Sequence, residues 1–399
     1  MSQFKTLSDY DVAGKRVILR ADLNVPMKDG VVTDSSRIDR TLPTITELLE
    51  KGARVVLITH WGRPNGERVA EMTLKPVAQA LAAQLDKDVK FADDCIGDAA
   101  ISVVNALADG EICVLENLRY YKEETDNDVE FAKKLALLGD IYVNDAFSCA
   151  HRAHASTEGL ARLLPAAAGR LMQAELEALS NALEAPKRPL AALIGGAKVS
   201  SKLDVLENLS KKVDMLIIGG GMANTFLHAQ GINVGKSLCE HDLAETALKI
   251  LKTAEEAGCK IVLPVDGVVA KEFGANVENR TAAIADIADD EMMLDVGAAS
   301  VADVKKHLAE CKTIVWNGPM GAFEIAPFDA GTNGAAQAAA ELTKTGSLVS
   351  VAGGGDTVAA LDHAGVKEDF TYISTAGGAF LEWLEGKELP GVEVLRAVS

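Results

Sequence analysis

Four arginines of this 399-residue chain stand where a small anion could be gripped. Arg37 opens a helical pattern after the β-rich run 16–25, and Arg63 follows His60-Trp61-Gly62 at the end of the run 54–61. Arg119 follows Glu116-Asn117-Leu118 at the end of the run 112–118, and Arg152 follows the run 141–147 within His151-Arg152-Ala153-His154. Ligands of open parallel sheets bind beyond the carboxyl ends of the strands. A guanidinium offers a planar, permanently charged fork for carboxylate or phosphate. One such arginine alone reads as a surface residue with a local salt bridge; four at the same topological position point to a pocket for a small polyanion. Asp22 and Asn24, just past the first run, could form a turn, but their place at a strand end favours a substrate hydroxyl. His151 and His154, three apart, have a spacing that a metal ion tolerates. No repeated carboxylate accompanies them, so hydrogen bonding to substrate or backbone is the reading for these two and for His60.

In the second half the strand ends carry glycine instead: Gly195-Gly196-Ala197-Lys198, Gly219-Gly220-Gly221, Asn317-Gly318-Pro319-Met320-Gly321 and Gly353-Gly354-Gly355-Asp356-Thr357. Glycine lets the backbone approach a ligand closely, and a helix starting there aims free N–H groups at phosphate. A single turn of this kind needs no ligand; four, with Lys198 and Lys202 spaced i, i+4, suggest a phosphate-bearing nucleotide. A helix over 199–211 would put both lysines on one face. Asp356 supplies a hard oxygen for Mg²⁺, which needs only one or two carboxylates beside phosphates. Two tempting motifs fail. The string 231–237 is one residue short of a Walker loop because Gln230 stands where glycine is required, and no G-x-G-x-x-G opens a helix after a strand.

The elements that must position these residues alternate along the chain. Further β-rich runs lie at 89–93, 190–195, 215–219, 261–269, 313–317, 348–352 and 372–374. Segments such as 37–51 and 242–257 space apolar residues three and four apart and are followed by Gly52 and Gly258, as helix ends are. Alternation of this kind predicts parallel sheets with right-handed crossovers. A helical stretch at 174–184 stops before Ala185-Pro186-Lys187-Arg188-Pro189, where two prolines mark a boundary. The fold class is therefore α/β. Apolar residues make up 48% and aromatics only 5%, which suits sheets covered by helices with an aliphatic core.

Composition also excludes. With 58 acidic against 40 basic residues the formal net charge is −18, which disfavours nucleic acid and anionic membranes. An anion site must then be locally basic. Six cysteines without a C-x-x-C pair read as reduced thiols in a reducing compartment. The N-terminal residues lack an apolar signal region and no run approaches a membrane span, so a cytoplasmic location is expected.

Over its whole length the sequence resembles the phosphoglycerate kinase family. The strings are RADLNVP at 20–26, SSRID at 35–39, THWGRP at 59–64, LENLRYYKEE at 115–124, NDAF at 144–147 and AHRAHAS at 150–156. They continue with GGAKVSSK at 195–202, GGGMANTF at 219–226, GKSL at 235–238, WNGPMGAFE at 316–324, AGGGDTVAA at 352–360 and EGKELPG at 385–391. The resemblance implies two Rossmann-like lobes, each a mostly parallel sheet flanked by helices, joined by a hinge helix. It implies an acid-substrate lobe at 1–173, an interlobe helix and hinge at 174–189, a nucleotide lobe at 190–384, and a C-terminal segment 385–399 returning to the first lobe. It further implies reversible transfer of the acyl phosphoryl group of 1,3-bisphosphoglycerate to MgADP, giving 3-phosphoglycerate and MgATP, by a monomer.

By the same resemblance, Asp22, Asn24, Arg37, His60, Arg63, Arg119 and Arg152 hold 3-phosphoglycerate. Lys198 meets the transferring phosphoryl group and Lys202 a nucleotide phosphate. Glu324 holds the ribose, in the segment that begins at Asn317 and includes Pro319. Gly354, Gly355, Asp356 and Thr357 surround the phosphates, with Asp356 toward magnesium, and Gly219 and Gly220 line the adenine side. Arg37, Lys198, magnesium and the N–H groups at 354–356 would carry the transition-state charge. The Walker-like string belongs to the family pattern and receives no phosphate role. Three positions depart from the family pattern: Ala298 where proline is common, Ala376 where glycine is common, and Cys149 where Ser or Thr is usual. Rival readings are a kinase for another small acid, a silent nucleotide-binding scaffold, and a dehydrogenase; the present Lys198, Arg37 and Asp356 oppose the second, and the missing glycine fingerprint opposes the third.

Overall fold

Arg16–Arg20 forms a strand whose last four residues are buried. Side chains alternate across it: Val17 and Leu19 enter one apolar cluster, Ile18 the cluster on the other face. The neighbouring strand Arg54–Ile58 does the same, with Val55 and Leu57 on one side and Val56 and Ile58 on the other. A sheet buried on both faces needs such continuous apolar runs. In the computed structural model, which describes residues 4–374 and 376–396, the chain divides into two units, Met1–Leu176 with Glu388–Ser399 and Glu177–Lys387.

The first unit is built on six parallel strands in the order Val89–Ala92, Ile112–Leu115, Arg54–Ile58, Arg16–Arg20, Ile141–Asn144, Ala166–Ala168. Helix Ser36–Glu50 lays Ile38, Ile45, Leu48 and Leu49 against one face and stops at Gly52, which takes φ +74°. The strand Ala166–Ala168 carries no sequence signal, because alanine has little preference for a strand. Glu388–Arg396 belongs to this unit; the Gly391 N–H donates to the Ala150 carbonyl at 2.9 Å and Asn144 Nδ2 to the Gly391 carbonyl at 3.3 Å. The final residues 397–399 of the expected C-terminal segment lie outside the described residues.

The second unit holds six parallel strands in the order Lys260–Val262, Met215–Ile218, Leu190–Ile194, Thr313–Asn317, Val349–Ala352, Tyr372–Ile373. This is the strand order of doubly wound nucleotide-binding sheets, whose switch point lies between the first strand and the fourth. Here those are Leu190–Ile194 and Thr313–Asn317, which pair directly.

Three local expectations are corrected. The run 261–269 is two strands, because Pro264 interrupts it and cannot donate to a ladder. Its second part, Asp266–Ala270, pairs antiparallel with Asn279–Ala283 and Met292–Val296 in a separate three-stranded sheet. The segment 199–211 is not one helix but a short 3₁₀ turn, Val199–Ser201, followed by helix Leu203–Leu209. Lys202 sits between them in a non-helical conformation, so Lys198 and Lys202 share no helix face. Glu240 explains the break: its carboxylate accepts from the Ser200 N–H at 2.9 Å and the Ser200 hydroxyl at 2.5 Å. The helical stretch at 174–184 begins earlier, at Arg170, and reaches its expected end by widening after Leu179 into the π-helical segment Ser180–Glu184.

Candidate active site

At the carboxyl ends of the first unit's strands, positive groups crowd together. Arg119 is half-buried and donates to the Gly62 carbonyl at 2.9 Å. Burial, then the charges of Arg20 and Arg152, push its guanidinium below its ordinary pKa. Buried His154 is driven down to about 4 by burial and by Arg20, Arg119 and Arg152. His60, also buried, falls well below the usual histidine value through burial and Arg20, with Asp22 opposing. Like charges gathered this closely, in a protein of net charge −18, make a site that an anion would relieve.

The loops around the cluster are tied to one another. Asn24 Oδ1 accepts from the Gly62 N–H at 2.9 Å, and its own N–H donates to Asp22 at 3.2 Å. Asp22 pairs with Arg37, which projects from the first turn of helix Ser36–Glu50, and accepts from the Ser148 hydroxyl. Burial works against ionised Asp22, but the Arg37 charge, the Ser148 hydroxyl and Arg20 outweigh it and lower its pKa. Arg63 and Arg152 are exposed, and Arg63 makes no hydrogen bond or ion pair among the described residues. Asp22, His60 and Cys149 come close enough to suggest a metal cage. Asp22 is paired with Arg37 and accepts from Ser148, and His60 is bound to Arg20.

Sequence reasoning missed Arg20. It is 1% exposed, and it donates to Ser156 Oγ at 2.9 Å, to the Ala21 carbonyl and to His60 Nδ1 at 3.1 Å. Glu124, equally enclosed, accepts from the Ser156 hydroxyl at 2.6 Å and the Ser156 N–H at 2.9 Å. Burial raises the Glu124 pKa although Arg20 and Ser156 favour the carboxylate. A signal was present: an arginine closing a continuous apolar run in a strand buried on both faces must have a partner inside.

In the second unit three adjacent strand ends are laced together. Lys202 Nζ donates to the carbonyls of Gly195 at 2.6 Å and Asn317 at 2.9 Å, bridging the switch point. Burial pushes its pKa down to about 8, with Asp356 acting in the other direction. Asn317 Nδ2 donates to the Gly353 carbonyl at 2.7 Å, and the Gly318 N–H donates to Thr357 Oγ1 at 2.7 Å. Helix Gly355–His363 starts there with Gly354 at φ +97° and without a side-chain cap, so its first N–H groups are free for a ligand. Asp356 is exposed in its first turn. Gly220 has φ +69°, and a Cβ on it would stand 2.6 Å from the Gly196 carbonyl oxygen. Gly219 packs on Met320, and the Gly220 N–H donates to the Met320 carbonyl at 2.9 Å, next to Pro319. Lys198 and Glu324 are exposed.

Comparison with known proteins decides what this arrangement belongs to. The family model for phosphoglycerate kinase matches residues 7–387. The chain belongs to the phosphoglycerate kinase family. The phosphoglycerate kinase of a Methylorubrum extorquens strain is 63% identical over 398 residues, covering 100% of both chains. That of Rhizobium meliloti is 65% identical over 394 residues, 98% of this chain and 99% of the relative. The solved phosphoglycerate kinase of Coxiella burnetii is 45% identical with a TM-score of 0.93, covering 98% of each chain.

Within this phosphoglycerate kinase fold the three departures have local explanations. Ala298 is the first residue of helix Ala298–Glu310, a position where proline is favoured for its fixed φ. Asp266 already satisfies that helix start, accepting from the Ala299 and Ser300 N–H groups at 3.0 and 2.7 Å. Ala376 is buried, caps helix Gly377–Leu384, and donates its N–H to Ser374 Oγ at 3.2 Å. Cys149 is buried with its sulfur 3.7 Å from an Arg20 nitrogen. The Walker-like string opens no helix; Ser237 Oγ instead accepts from the Met293 N–H at 2.8 Å, and the Lys236 N–H donates to the Glu291 carbonyl at 2.7 Å. Among the described residues no helix is long and apolar enough to cross a membrane.

Proposed function

We propose that this chain catalyses the reaction for which its family is named: reversible transfer of the acyl phosphoryl group of 1,3-bisphosphoglycerate to MgADP, giving 3-phosphoglycerate and MgATP. The observation that carries the reading is the cationic cluster of Arg20, Arg119 and Arg152 around two histidines held neutral. Arg63, Arg119 and Arg152 grip the acid's charged groups, and Asp22 and Asn24 its hydroxyl. His60 donates from Nε2, because Arg20 has only protons to offer and occupies Nδ1 as a donor.

On the nucleotide side, Lys202 and the free N–H groups at 354–357 face the phosphates, with Asn317, Pro319, Glu324, Gly219 and Gly220 toward the sugar and base. Magnesium arrives with the nucleotide, and when bound it neutralises phosphate charge. Asp356 suits it, being an exposed carboxylate that forms no hydrogen bond or ion pair among the described residues. A loose, charge-spread phosphoryl transition state needs cations and positioning more than covalent help. Arg37, now on Asp22, and exposed Lys198 are the mobile cations for it, joined by the N–H groups of Gly354 and Gly355. No side chain need act as a base, since the acceptor oxygen is already ionised.

The acid residues belong to one unit and the nucleotide residues to the other, so transfer requires both units to come together around bound substrates, with 174–189 as the hinge. Small-angle scattering should show compaction only when both substrates are present. The reading places the enzyme in the cytoplasm as a monomer; its six free cysteines suit a reducing compartment. A coupled assay with ATP tests the function: 3-phosphoglycerate should outperform other small acids, and omission of magnesium should stop turnover. Preference for a different acid would overturn the substrate assignment.

A further inference from the structure

We infer a binding site for a borderline-soft divalent metal such as Zn²⁺, formed by His228, Cys239 and His241. His228 lies in the last turn of helix Gly221–Ala229, Cys239 in the loop that follows, and His241 opens the turn His241–Leu243. His241 Nδ1 stands 3.1 Å from His228 Nε2 and 3.8 Å from Cys239 Sγ, and all three ligand atoms lie within 4.8 Å of one another.

The two His241 spacings are close to edges of a metal tetrahedron. Zn–N bonds of about 2.0–2.1 Å and a Zn–S bond of about 2.3 Å set the N···N edge near roughly 3.4 Å and the N···S edge near roughly 3.6 Å. The third edge, His228 to Cys239, lies within 4.8 Å and closes when the donors turn onto one ion. Two imidazoles and a thiol select zinc-like ions over magnesium or calcium, which want oxygen. Glu240, between the cysteine and His241, is engaged with Ser200.

The loop is pinned on both sides of the cysteine, so the donors need little ordering. Asn224 Nδ2 donates to the Leu238 carbonyl at 3.1 Å, and the Glu240 N–H donates to Thr225 Oγ1 at 3.0 Å. The other five cysteines are buried, whereas Cys239 is partly exposed and His241 is exposed, so an ion can reach the donors from solvent. On binding, the Cys239 thiol gives its proton to solvent and its sulfur binds as thiolate.

The test is titration of untagged, chelator-treated protein with Co²⁺ alone, then Zn²⁺ alone. The parent should develop a thiolate-to-cobalt charge-transfer band that saturates at a single equivalent and that Zn²⁺ bleaches. Cys239→Ser should lose the band. His228→Ala should weaken Zn²⁺ binding by more than the roughly 10- to 100-fold that loss of an outer partner costs. Cys149→Ser, altered at the cysteine that lies near His60 and Asp22, should keep the band. Thermal melts establish that each variant folds, and His228→Ala decides if Cys239→Ser does not. No band in the parent, a band that survives Cys239→Ser, or unchanged Zn²⁺ affinity in His228→Ala would overturn the site.

Discussion

Arg20 donates to Nδ1 of His60 at 3.1 Å from a position with 1% exposure. An arginine has no acceptor, so this contact fixes the histidine as the Nε2–H tautomer and leaves its one proton on Nε2. Nitrogen-resolved NMR of the folded protein should show His60 as neutral Nε2–H at pH 7. An Nδ1–H or doubly protonated ring would contradict the geometry.

Removing that arginine should cost stability as well as alignment. Arg20→Met leaves Glu124 in the interior without the cation that meets it across Ser156, and losing a charged hydrogen-bond partner in this way costs about 1.5–3 kcal/mol. Denaturant unfolding should show the loss. Arg20→Met combined with Glu124→Gln should recover much of it, since no lone charge then remains inside. Equal destabilisation of the single and double variants would speak against this coupling through Ser156.

The histidines predict a pH dependence with a definite sign. His154 titrates at about 4 when folded and near about 6.5 when unfolded. Between those values the unfolded chain binds a proton that the folded chain refuses. Its contribution is therefore complete above pH 6.5 and is lost as pH falls toward 4. Buried Asp145 and Asp295, raised to about 6 and about 7 by burial, slope the opposite way, so the whole-protein curve mixes them. The difference between parent and His154→Asn isolates the histidine. Urea unfolding from pH 7 down to 4.5 should show the parent losing ground to the variant, whereas a constant difference would exclude the depressed pKa.

Two glycines separate packing from binding. Gly220→Ala must force a Cβ against the Gly196 backbone at positive φ, so it should lower the melting temperature markedly. Gly355 has open space around its would-be Cβ and no positive φ. Gly355→Ala should melt like the parent yet bind nucleotide at least roughly 10-fold more weakly, because a methyl group fills the phosphate approach at the helix start. Unaltered nucleotide affinity would remove this helix start from the site.

Arg37 should act on rate. Arg37→Ala is expected to lose roughly 10³-fold or more in kcat, the scale of arginines that stabilise transferring phosphoryl groups. Arg37→Lys should recover only part, since it keeps charge without the fork. Near-parental kcat in a folded Arg37→Ala variant would take this residue out of the mechanism.

Much of this was legible from strand ends. Arg63, Arg119 and Arg152 in the first sheet, and the glycine turns at 195, 219, 318 and 353 in the second, follow apolar runs that are easily read as buried parallel strands, so each set's common sheet edge followed from topology. Arg20 escaped because it closes such a run, where alternation assigns a face but not a partner; Ser156 and Glu124 are more than a hundred residues away. The antiparallel sheet of Asp266–Ala270, Asn279–Ala283 and Met292–Val296 escaped for a different reason. Its edge strand Asn279–Ala283 exposes four of five residues and so lacks an apolar pattern. The broken segment around Lys202 depended on Glu240 reaching Ser200 across forty residues, which local helix preference cannot foresee.

The most direct test of the anion site is calorimetric titration of 3-phosphoglycerate into the parent and Arg119→Ala at two salt concentrations. Parent affinity should fall as salt rises, and Arg119→Ala should bind roughly 10-fold or more weakly, as expected for loss of a charge-assisted contact. Equal, salt-independent affinities for both proteins would contradict the assignment of this arginine cluster to the phosphorylated acid.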